Sequence, residues 1–315
     1  MLVARLHGAA DLRIHEESDP VPQAGETLVK VTSVGVCGSD LHWFGEGGIG
    51  DAQLTQPLVV GHEFAGVTPD GRRVAVDPAV PCEECPSCLR GYRNLCPHVR
   101  FAGHGATDGG LREYLAWPSA YLHPLPDSVS DLEGALLEPL GVAIHAYDLG
   151  HLPLGGTAGV VGCGPIGLML IQLLQIAGAS MVAAVEPLPH RAAKARELGA
   201  STDPHGDLDV VFEVAGTDQA VDTAFEMARP GGRVVLAGIP DEDRTSFRAS
   251  TARRKGLTIA MARRMNDVYP RAIKLVAQGK VDLVSLVSGR FALQDAAKAF
   301  TEAQSRAGLK IVIEP

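Results

Sequence analysis

Hydrophobic and polar residues alternate in steps of two through the first 36 residues of the chain. The apolar positions recur within 2–6, 12–14 and 28–34, and Pro20 and Pro22 help to separate these runs. A period of two places one set of side chains in a core and the other in solvent, as in an antiparallel sheet. The pattern predicts short strands and a small, mostly β amino-terminal domain.

The second half of the chain changes to alternating strand and helix patterns. Strands are predicted at 158–161, 181–185, 209–214, 233–237 and 257–261, and helices at 165–177, 188–198, 217–228, 270–279 and 293–304. Such alternation requires a parallel sheet that helices cover on both faces. We therefore expect an α/β fold with a Rossmann-type, doubly wound parallel sheet.

Two segments flank this α/β unit. Residues 132–146 indicate a helix, a proline break and a second helix, with Glu138 just before the break at Pro139. Beyond the unit, 309–313 has the pattern of a strand, which we expect to return to the first domain.

A glycine-rich turn joins the first predicted strand of the α/β unit to its helix. It reads Gly162-Cys163-Gly164-Pro165-Ile166-Gly167. In a dinucleotide site the first glycine permits the tight turn, the second lets the backbone approach the pyrophosphate, and the third lets the helix pack on its strand. The free N–H groups at the helix start would then face the phosphates.

An acidic residue, Glu186, ends the next predicted strand. A carboxylate there accepts hydrogen bonds from the adenosine ribose and repels a 2′-phosphate, which favours NAD over NADP. Arg191 lies five residues further on and is a candidate contact to the ribose or a phosphate, or a solvated helix residue.

Four cysteines are closely spaced in a loop rich in proline and glycine. Cys82, Cys85, Cys88 and Cys96 give the spacing C-x2-C-x2-C-x7-C within 81–97. Four thiolates can close a tetrahedron around one Zn²⁺ and so order a loop that has little core of its own. An iron–sulfur cluster uses similar ligands, but the spacing differs from common ferredoxin patterns. The sequence favours a structural zinc lobe.

A second group of metal-binding residue types lies outside this lobe. Cys37, His62, Glu63 and the distant Glu138 are of the kinds that an open catalytic zinc site uses. From spacing alone, a single cysteine and a histidine so far apart in the chain are more often unrelated than joined by a metal. Both interpretations remain open on the residues themselves.

Composition narrows the function classes. A chain of 315 residues exceeds the size at which one core usually divides, so two domains are expected. A net charge of −9 disfavours binding to nucleic acid. We expect no membrane partner and a cytoplasmic location, because no basic-then-apolar leader and no membrane-spanning apolar run is present. In a reducing compartment the six cysteines indicate metal ligands or buried thiols rather than disulfides.

Taken together, these motifs resemble the zinc-dependent medium-chain alcohol dehydrogenase family, in its polyol branch of sorbitol dehydrogenases and L-idonate 5-dehydrogenases. The matching segments are Gly35-Val36-Cys37-Gly38-Ser39-Asp40-Leu41-His42, Gly61-His62-Glu63, the four cysteines, Leu137-Glu138-Pro139-Leu140, Ile144-His145-Ala146 and Gly162 to Gly167. The resemblance implies a GroES-like catalytic domain at 1–143 and 265–315 and an NAD-binding Rossmann domain at 144–264.

The same resemblance implies roles for individual residues. Cys37, His62 and Glu63 would surround the catalytic zinc, with Glu138 bound to it through water or in contact with the substrate. Ser39 and His42 match a relay that carries the alcohol proton to solvent. Residues implied at the substrate are Trp43, Glu138, Arg264 and Met265. Residues implied at the cofactor are Gly162, Gly164, Pro165, Ile166, Gly167, Glu186, Arg191, Ala237, Gly238 and Ile239.

The resulting hypothesis is hydride transfer from a secondary alcohol of a polyol or sugar acid to NAD, by a homodimer or homotetramer. Sorbitol, xylitol and L-idonate all satisfy these residues, and L-threonine is a remoter alternative. A zinc-free quinone or enoyl reductase would not need the cysteine and histidine ligands. A non-catalytic sensor of NAD or zinc would not need Ser39, His42 and Glu138.

Overall fold

The computed structural model describes residues 1–203 and 206–315. In chain order its strands are β1 (Leu2–Gly8), β2 (Asp11–Glu16), β3 (Glu26–Gly35), β4 (Gly48–Ile49), β5 (Ala52–Gln53), β6 (Glu63–Val67), β7 (Arg73–Val76), β8 (Ala79–Val80), β9 (Arg100–Phe101), β10 (Tyr114–Pro118), β11 (Leu122–Pro124), β12 (Thr157–Val161), β13 (Met181–Val185), β14 (Leu208–Glu213), β15 (Ala228–Leu236), β16 (Thr258–Met261), β17 (Val287–Ala292) and β18 (Lys310–Glu314). Its helices are α1 (Gly38–Glu46), α2 (Pro86–Leu89), α3 (Asp131–Ala135), α4 (Leu137–Gly150), α5 (Pro165–Ile176), α6 (Pro189–Glu197), α7 (Asp218–Met227), α8 (Ala249–Lys255), α9 (Tyr269–Ala277) and α10 (Ala296–Gln304).

The chain folds into two units, one of them discontinuous in sequence. The first unit comprises Met1–Glu138 and Tyr269–Pro315, and the second comprises Pro139–Val268. Both predicted domain boundaries, at 143 and 265, fall inside the second unit.

The first unit is built around a seven-stranded mixed sheet. Its order is β11-β7-β6-β3-β18-β17, and β10 also pairs with β3. Val29 and Val31, two apart on β3, are buried, as the alternating pattern requires. Large side chains from neighbouring strands, among them Phe64 and Trp117, complete the same core. The predicted β domain is confirmed.

The strand predicted at 309–313 does return to this first unit. It is β18, which pairs antiparallel with β3, where Val312 lies opposite Gly35, and parallel with β17. The first unit therefore contains a strand that follows the whole second unit in sequence.

The second unit contains the predicted parallel sheet. Its five strands have the order β13-β12-β14-β15-β16, and each neighbouring pair is parallel. Because helices cover such a sheet on both faces, its strands have continuous apolar runs, and Ala158, Val160 and Val161 of β12 are all buried. The α/β class predicted from the sequence is confirmed.

The predicted helix, break and second helix are present, but the break lies at Leu136 and not at Pro139. α3 ends at Ala135 and α4 begins at Leu137, so Pro139 and Glu138 both lie in the first turn of α4. Proline is tolerated there because its missing N–H would have no partner within the helix. The interruption lies before the proline, and Glu138 is held by a helix start rather than by a helix end.

Within the described ranges, no helix is long and apolar enough to cross a bilayer.

Candidate active site

A buried cluster in the first unit joins three of the predicted metal ligands. Cys37 caps the start of α1, His62 directly precedes β6, and Glu63 is the first residue of β6. One ligand atom from each of the three lies within 4.8 Å of the others. Antiparallel pairing of β3 with β6 accounts for this, because it sets Gly35 opposite Glu63 just before Cys37.

Asp40 orients this cluster, a role that the sequence analysis missed. Its carboxylate is 1% exposed, lies 3.2 Å from His62 Nδ1, and accepts hydrogen bonds from the backbone N–H groups of Cys37 and Gly61. A proton on Nδ1 leaves His62 Nε2 free to bind a metal. The available signal was an acid three residues after the helix-capping Cys37.

The acidic groups around His62 favour the protonated, positively charged form of its imidazole. Burial alone would lower the pKa of His62, but the Asp40 carboxylate and the side chain of Cys37 raise it well above its usual value. For Asp40, burial opposes ionisation, yet His62 and the two backbone N–H groups keep the pKa of the carboxyl below its usual value.

Lys310 from β18 is the second residue that the sequence analysis missed. Its side chain is 3% exposed, and Nζ donates to Glu63 Oε1 at 2.7 Å and to the Val36 carbonyl at 2.9 Å. Burial alone would lower the pKa of Lys310, but the Glu63 carboxylate raises it. The ammonium therefore compensates a carboxylate that is fully buried.

Glu138 reaches the same environment from the start of α4. Its side chain is buried, and burial raises the pKa of Glu138 to about 7, since the repulsion from Glu63 adds to burial while His62 and Lys310 act in the opposite direction. A carboxyl with that pKa is available near neutral pH both as a hydrogen-bond donor and as an acceptor.

The donor set fits the zinc expected from the sequence. A thiolate, an imidazole nitrogen and a carboxylate oxygen are the ligand types of catalytic zinc sites, which keep a further position for water or substrate. The excess of acidic groups around His62 gives the cluster the charge that binding of a divalent cation requires.

Replacement of Asp40 tests this orientation. Asp40→Asn is expected to weaken zinc binding at the cluster by about 10- to 100-fold, because the imidazole loses the carboxylate that fixes it. Competition with a chromogenic chelator measures the affinity. Asp70→Asn, at an exposed acid of the same unit, is the control and should leave the affinity unchanged. Equal affinities for Asp40→Asn and the unsubstituted protein would contradict the role.

Ser39, His42 and Trp43 lie on α1 next to the cluster. Ser39 Oγ is 3.4 Å from His62 Nε2, and His42 Nδ1 is 3.3 Å from Glu46 Oε1. Trp43 is buried in the first unit's core, and its ring meets the His104 ring edge-on at 5.4 Å. Ser39 and His42 are three residues apart, so they lie on one face of the helix.

The four-cysteine lobe forms the second metal-binding group. Sγ–Sγ distances are 3.5 Å for Cys85–Cys88, 3.6 Å for Cys82–Cys96 and 3.9 Å for Cys85–Cys96, and all four thiols are free. A tetrahedral site with Zn–S bonds of about 2.3 Å separates its sulfurs by about 3.8 Å. A backbone hydrogen bond from Cys88 lowers the pKa of Cys85 to about 7, while burial raises the pKa of the neighbouring Cys88 to about 12. The lobe fits one zinc ion.

The three glycines of the turn in the second unit have different surroundings, as a dinucleotide site requires. Gly162 has φ +97°, and a Cβ there would lie 2.9 Å from Ala215 Cβ. A Cβ at Gly167 would lie 2.0 Å from the Gly162 carbonyl oxygen, so the helix start packs directly on the strand end. At Gly164 the nearest atom would be Arg191 Nη1 at 3.7 Å, which leaves the approach to this backbone open.

Glu186 is tied to this turn by hydrogen bonds. Its carboxylate accepts from the backbone N–H of Cys163 at 2.7 Å and from that of Leu188 at 2.9 Å. Each carboxylate oxygen keeps a further lone pair that could accept from a ribose hydroxyl. Pro165 and Ile166 open α5 directly after Gly164.

The remaining predicted residues belong to the second unit. Ala237, Gly238 and Ile239 follow the end of β15, and Ile239 is exposed. Arg264 has a left-handed backbone with φ 54°, and Met265 is buried against Gly141.

Similarity to known proteins extends along nearly the whole chain. Residues 23–127 match the family model of the alcohol dehydrogenase GroES-like domain, and residues 165–278 match that of the zinc-binding dehydrogenases. The chain is 32% identical to sorbitol dehydrogenase of Bacillus subtilis, over 100% of this chain and 97% of the relative. It is 33% identical to a probable D-xylulose reductase A of Arthroderma otae, over 96% of this chain and 94% of the relative. The crystal structure of L-idonate 5-dehydrogenase from Escherichia coli superimposes with a TM-score of 0.94 at 26% identity, over 100% of this chain and 98% of that one.

Proposed function

The chain belongs to the zinc-dependent medium-chain alcohol dehydrogenases, in their polyol branch, and from this premise we propose that it oxidises a secondary alcohol of a polyol or sugar acid with NAD. The observation that carries the proposal is the buried cluster of Cys37, His62 and Glu63. Among the relatives named above, the sorbitol dehydrogenase is named for a polyol, the L-idonate 5-dehydrogenase for a sugar acid and the D-xylulose reductase for a ketose. The family uses a nicotinamide cofactor.

Zinc would polarise the substrate hydroxyl and lower its pKa, and NAD would take up the carbinol hydride. Cys37, His62 and Glu63 would hold the metal, and Asp40 and Lys310 orient two of these ligands. Glu138 would exchange a hydrogen bond with a substrate hydroxyl, as its pKa of about 7 permits.

Ser39 and His42 would conduct the substrate's proton to solvent. Ser39 Oγ lies beside His62, and His42 contacts the exposed Glu46 further along the same helix. A histidine titrates near neutral pH, so it is suited to the end of such a relay. Trp43, Arg264 and Met265 would contact the substrate. Glu186, Arg191, Ala237, Gly238 and Ile239 would contact NAD, with the glycine turn at the pyrophosphate.

A substrate panel tests this function. Sorbitol, xylitol, L-idonate, other aldonic acids and L-threonine are compared by NADH formation at 340 nm, and zinc is determined by mass spectrometry. Turnover of a polyol or aldonic acid with two zinc ions per chain is the expected result. Turnover of L-threonine alone would assign a different substrate class. Two zinc ions with no turnover of any alcohol would support a sensor instead.

Replacement of Glu186 tests the cofactor preference. Glu186→Ala is expected to shift the NAD/NADP ratio of kcat/KM toward NADP by about tenfold or more, because the carboxylate that repels a 2′-phosphate is lost. Glu197→Ala, at an exposed acid on α6, serves as the control. An unchanged ratio for Glu186→Ala would show that the ribose is recognised by other residues.

The homodimer or homotetramer and the cytoplasmic location belong to the same proposal. Support for self-association comes from β16 at one edge of the five-stranded sheet, where Ile259 and Met261 are exposed. Such an edge can pair with another strand. Light scattering coupled to size exclusion would give the number of chains.

A further inference from the structure

Glu213 is a buried acid to which none of the roles above has been assigned. It ends β14, and its side chain is 1% exposed. Its Oε1 accepts hydrogen bonds from the backbone N–H groups of Ala215 and Gly216, each at 2.7 Å. A carboxylate so deeply buried is costly, and burial raises the pKa of Glu213.

The two loops that meet at Glu213 touch each other through their backbones. Gly216 has φ +77°, and a Cβ there would lie 2.3 Å from the Ile239 carbonyl oxygen. A Cβ at Gly238 would lie 2.2 Å from the Gly216 nitrogen and 2.9 Å from Glu213 Oε2. Ala237 and Gly238 donate to the Glu213 carbonyl oxygen at 2.8 and 3.1 Å. Glu213 thus joins the loop after β14 to the loop after β15.

The strand order locates this junction relative to the cofactor. In an open parallel sheet the dinucleotide lies across the carboxyl ends of the strands. Glu186 at the end of β13 marks the adenosine half, and the glycine turn after β12 marks the pyrophosphate. Because β14 and β15 follow on the other side of β12, the loops joined by Glu213 lie on the nicotinamide side.

We propose that Glu213 is a positioning residue of the cofactor site. Its carboxylate fixes the loop at 215–216, which packs against the loop at 237–239, so that the backbone of both loops supports the nicotinamide half of NAD. The proposal rests on the proposed use of NAD. Glu213 acts through the hydrogen bonds that it accepts and does not itself touch the cofactor.

Differential binding tests the proposal. Binding of NADH, by fluorescence, is compared with binding of ADP, which contains only the adenosine and phosphate half, by calorimetry. Glu213→Ala is expected to weaken NADH binding by about tenfold or more and to leave ADP binding unchanged, because only the loop after β14, on the nicotinamide side, loses its anchor. Glu213→Gln retains an acceptor for Ala215 and Gly216 and should recover most of the loss.

The chain offers a matched control on the same strand. Asp209, at the opposite end of β14, accepts from the Thr157 backbone N–H at 2.9 Å and from Arg229 Nε at 2.8 Å. Asp209→Asn should lower Tm without changing the ratio of NADH to ADP affinity. If Glu213→Ala does not fold, Glu213→Asp, which withdraws the carboxylate by one methylene, is expected to give the same selective loss.

The outcomes separate this proposal from the function on which it rests. If the Glu213 variants weakened the binding of NADH and of ADP equally, Glu213 would have only a structural role, and the inference would be overturned. Unchanged affinities for both ligands would overturn it as well. If the unsubstituted protein bound neither ligand, the proposed use of NAD would itself be wrong.

Discussion

Cys37→Ser is expected to abolish alcohol oxidation while NADH binding persists. The serine hydroxyl is a poor zinc ligand, so the cluster should lose its metal, and the rate should fall by at least about a thousandfold because metal catalysis contributes several kcal/mol. The glycine turn and Glu186 lie in the other unit, so NADH affinity should be retained. Zinc content should fall from two ions per chain to one, as measured by mass spectrometry.

The control for Cys37→Ser removes a thiol outside both metal-binding groups. Cys163 lies buried in the glycine turn, and burial raises its pKa to about 12, so it is not a thiolate at neutral pH. Cys163→Ala should therefore keep both zinc ions. Full activity of Cys37→Ser with two zinc ions bound would exclude the catalytic zinc assignment.

Lys310→Met should destabilise the protein by about 3–5 kcal/mol, because it leaves the carboxylate of Glu63 buried without its cation. Urea titrations of the metal-free protein, in which no zinc ion compensates Glu63, measure the free energy of unfolding. The double variant Lys310→Met/Glu63→Gln should recover much of the loss, since removal of both charges leaves no uncompensated ion.

Lys280→Met provides the comparison for this large effect. Lys280 is exposed, and loss of an exposed charge usually changes the free energy of unfolding by less than about 0.5 kcal/mol. A loss for Lys310→Met no larger than that for Lys280→Met would mean that the buried ion pair contributes nothing to stability.

The features that could be predicted from the sequence depend on residues that lie close together in the chain. The four cysteines and the glycine turn bring all their required residue types within short segments, so spacing alone indicates the geometry. The strands and helices of the second unit follow from apolar periodicity in the same way. Pro139 misled because proline also occurs in the first turn of a helix, where it breaks nothing.

The residues that escaped prediction depend on pairing between remote segments. Lys310 and Glu63 are separated by 247 positions, and only the insertion of β18 beside β3 brings them together. Glu213 and the loop after β15 likewise meet only once the parallel sheet has formed. Asp40 was quoted as part of a motif, but its contact with His62 requires β3 and β6 to be paired. No local pattern distinguishes such groups from exposed charges.

The position of β18 also bears on the order in which the protein can mature. Ribosomal synthesis delivers Cys37, His62 and Glu63 early, but Lys310 emerges only after residues 139–268 have been made. Until then the sheet of the nascent first unit lacks both β17 and β18 beside β3, and Glu63 has no ammonium beside it. Metal loading is therefore expected to be post-translational, and a fragment of residues 1–138 should neither fold stably nor retain zinc at Cys37.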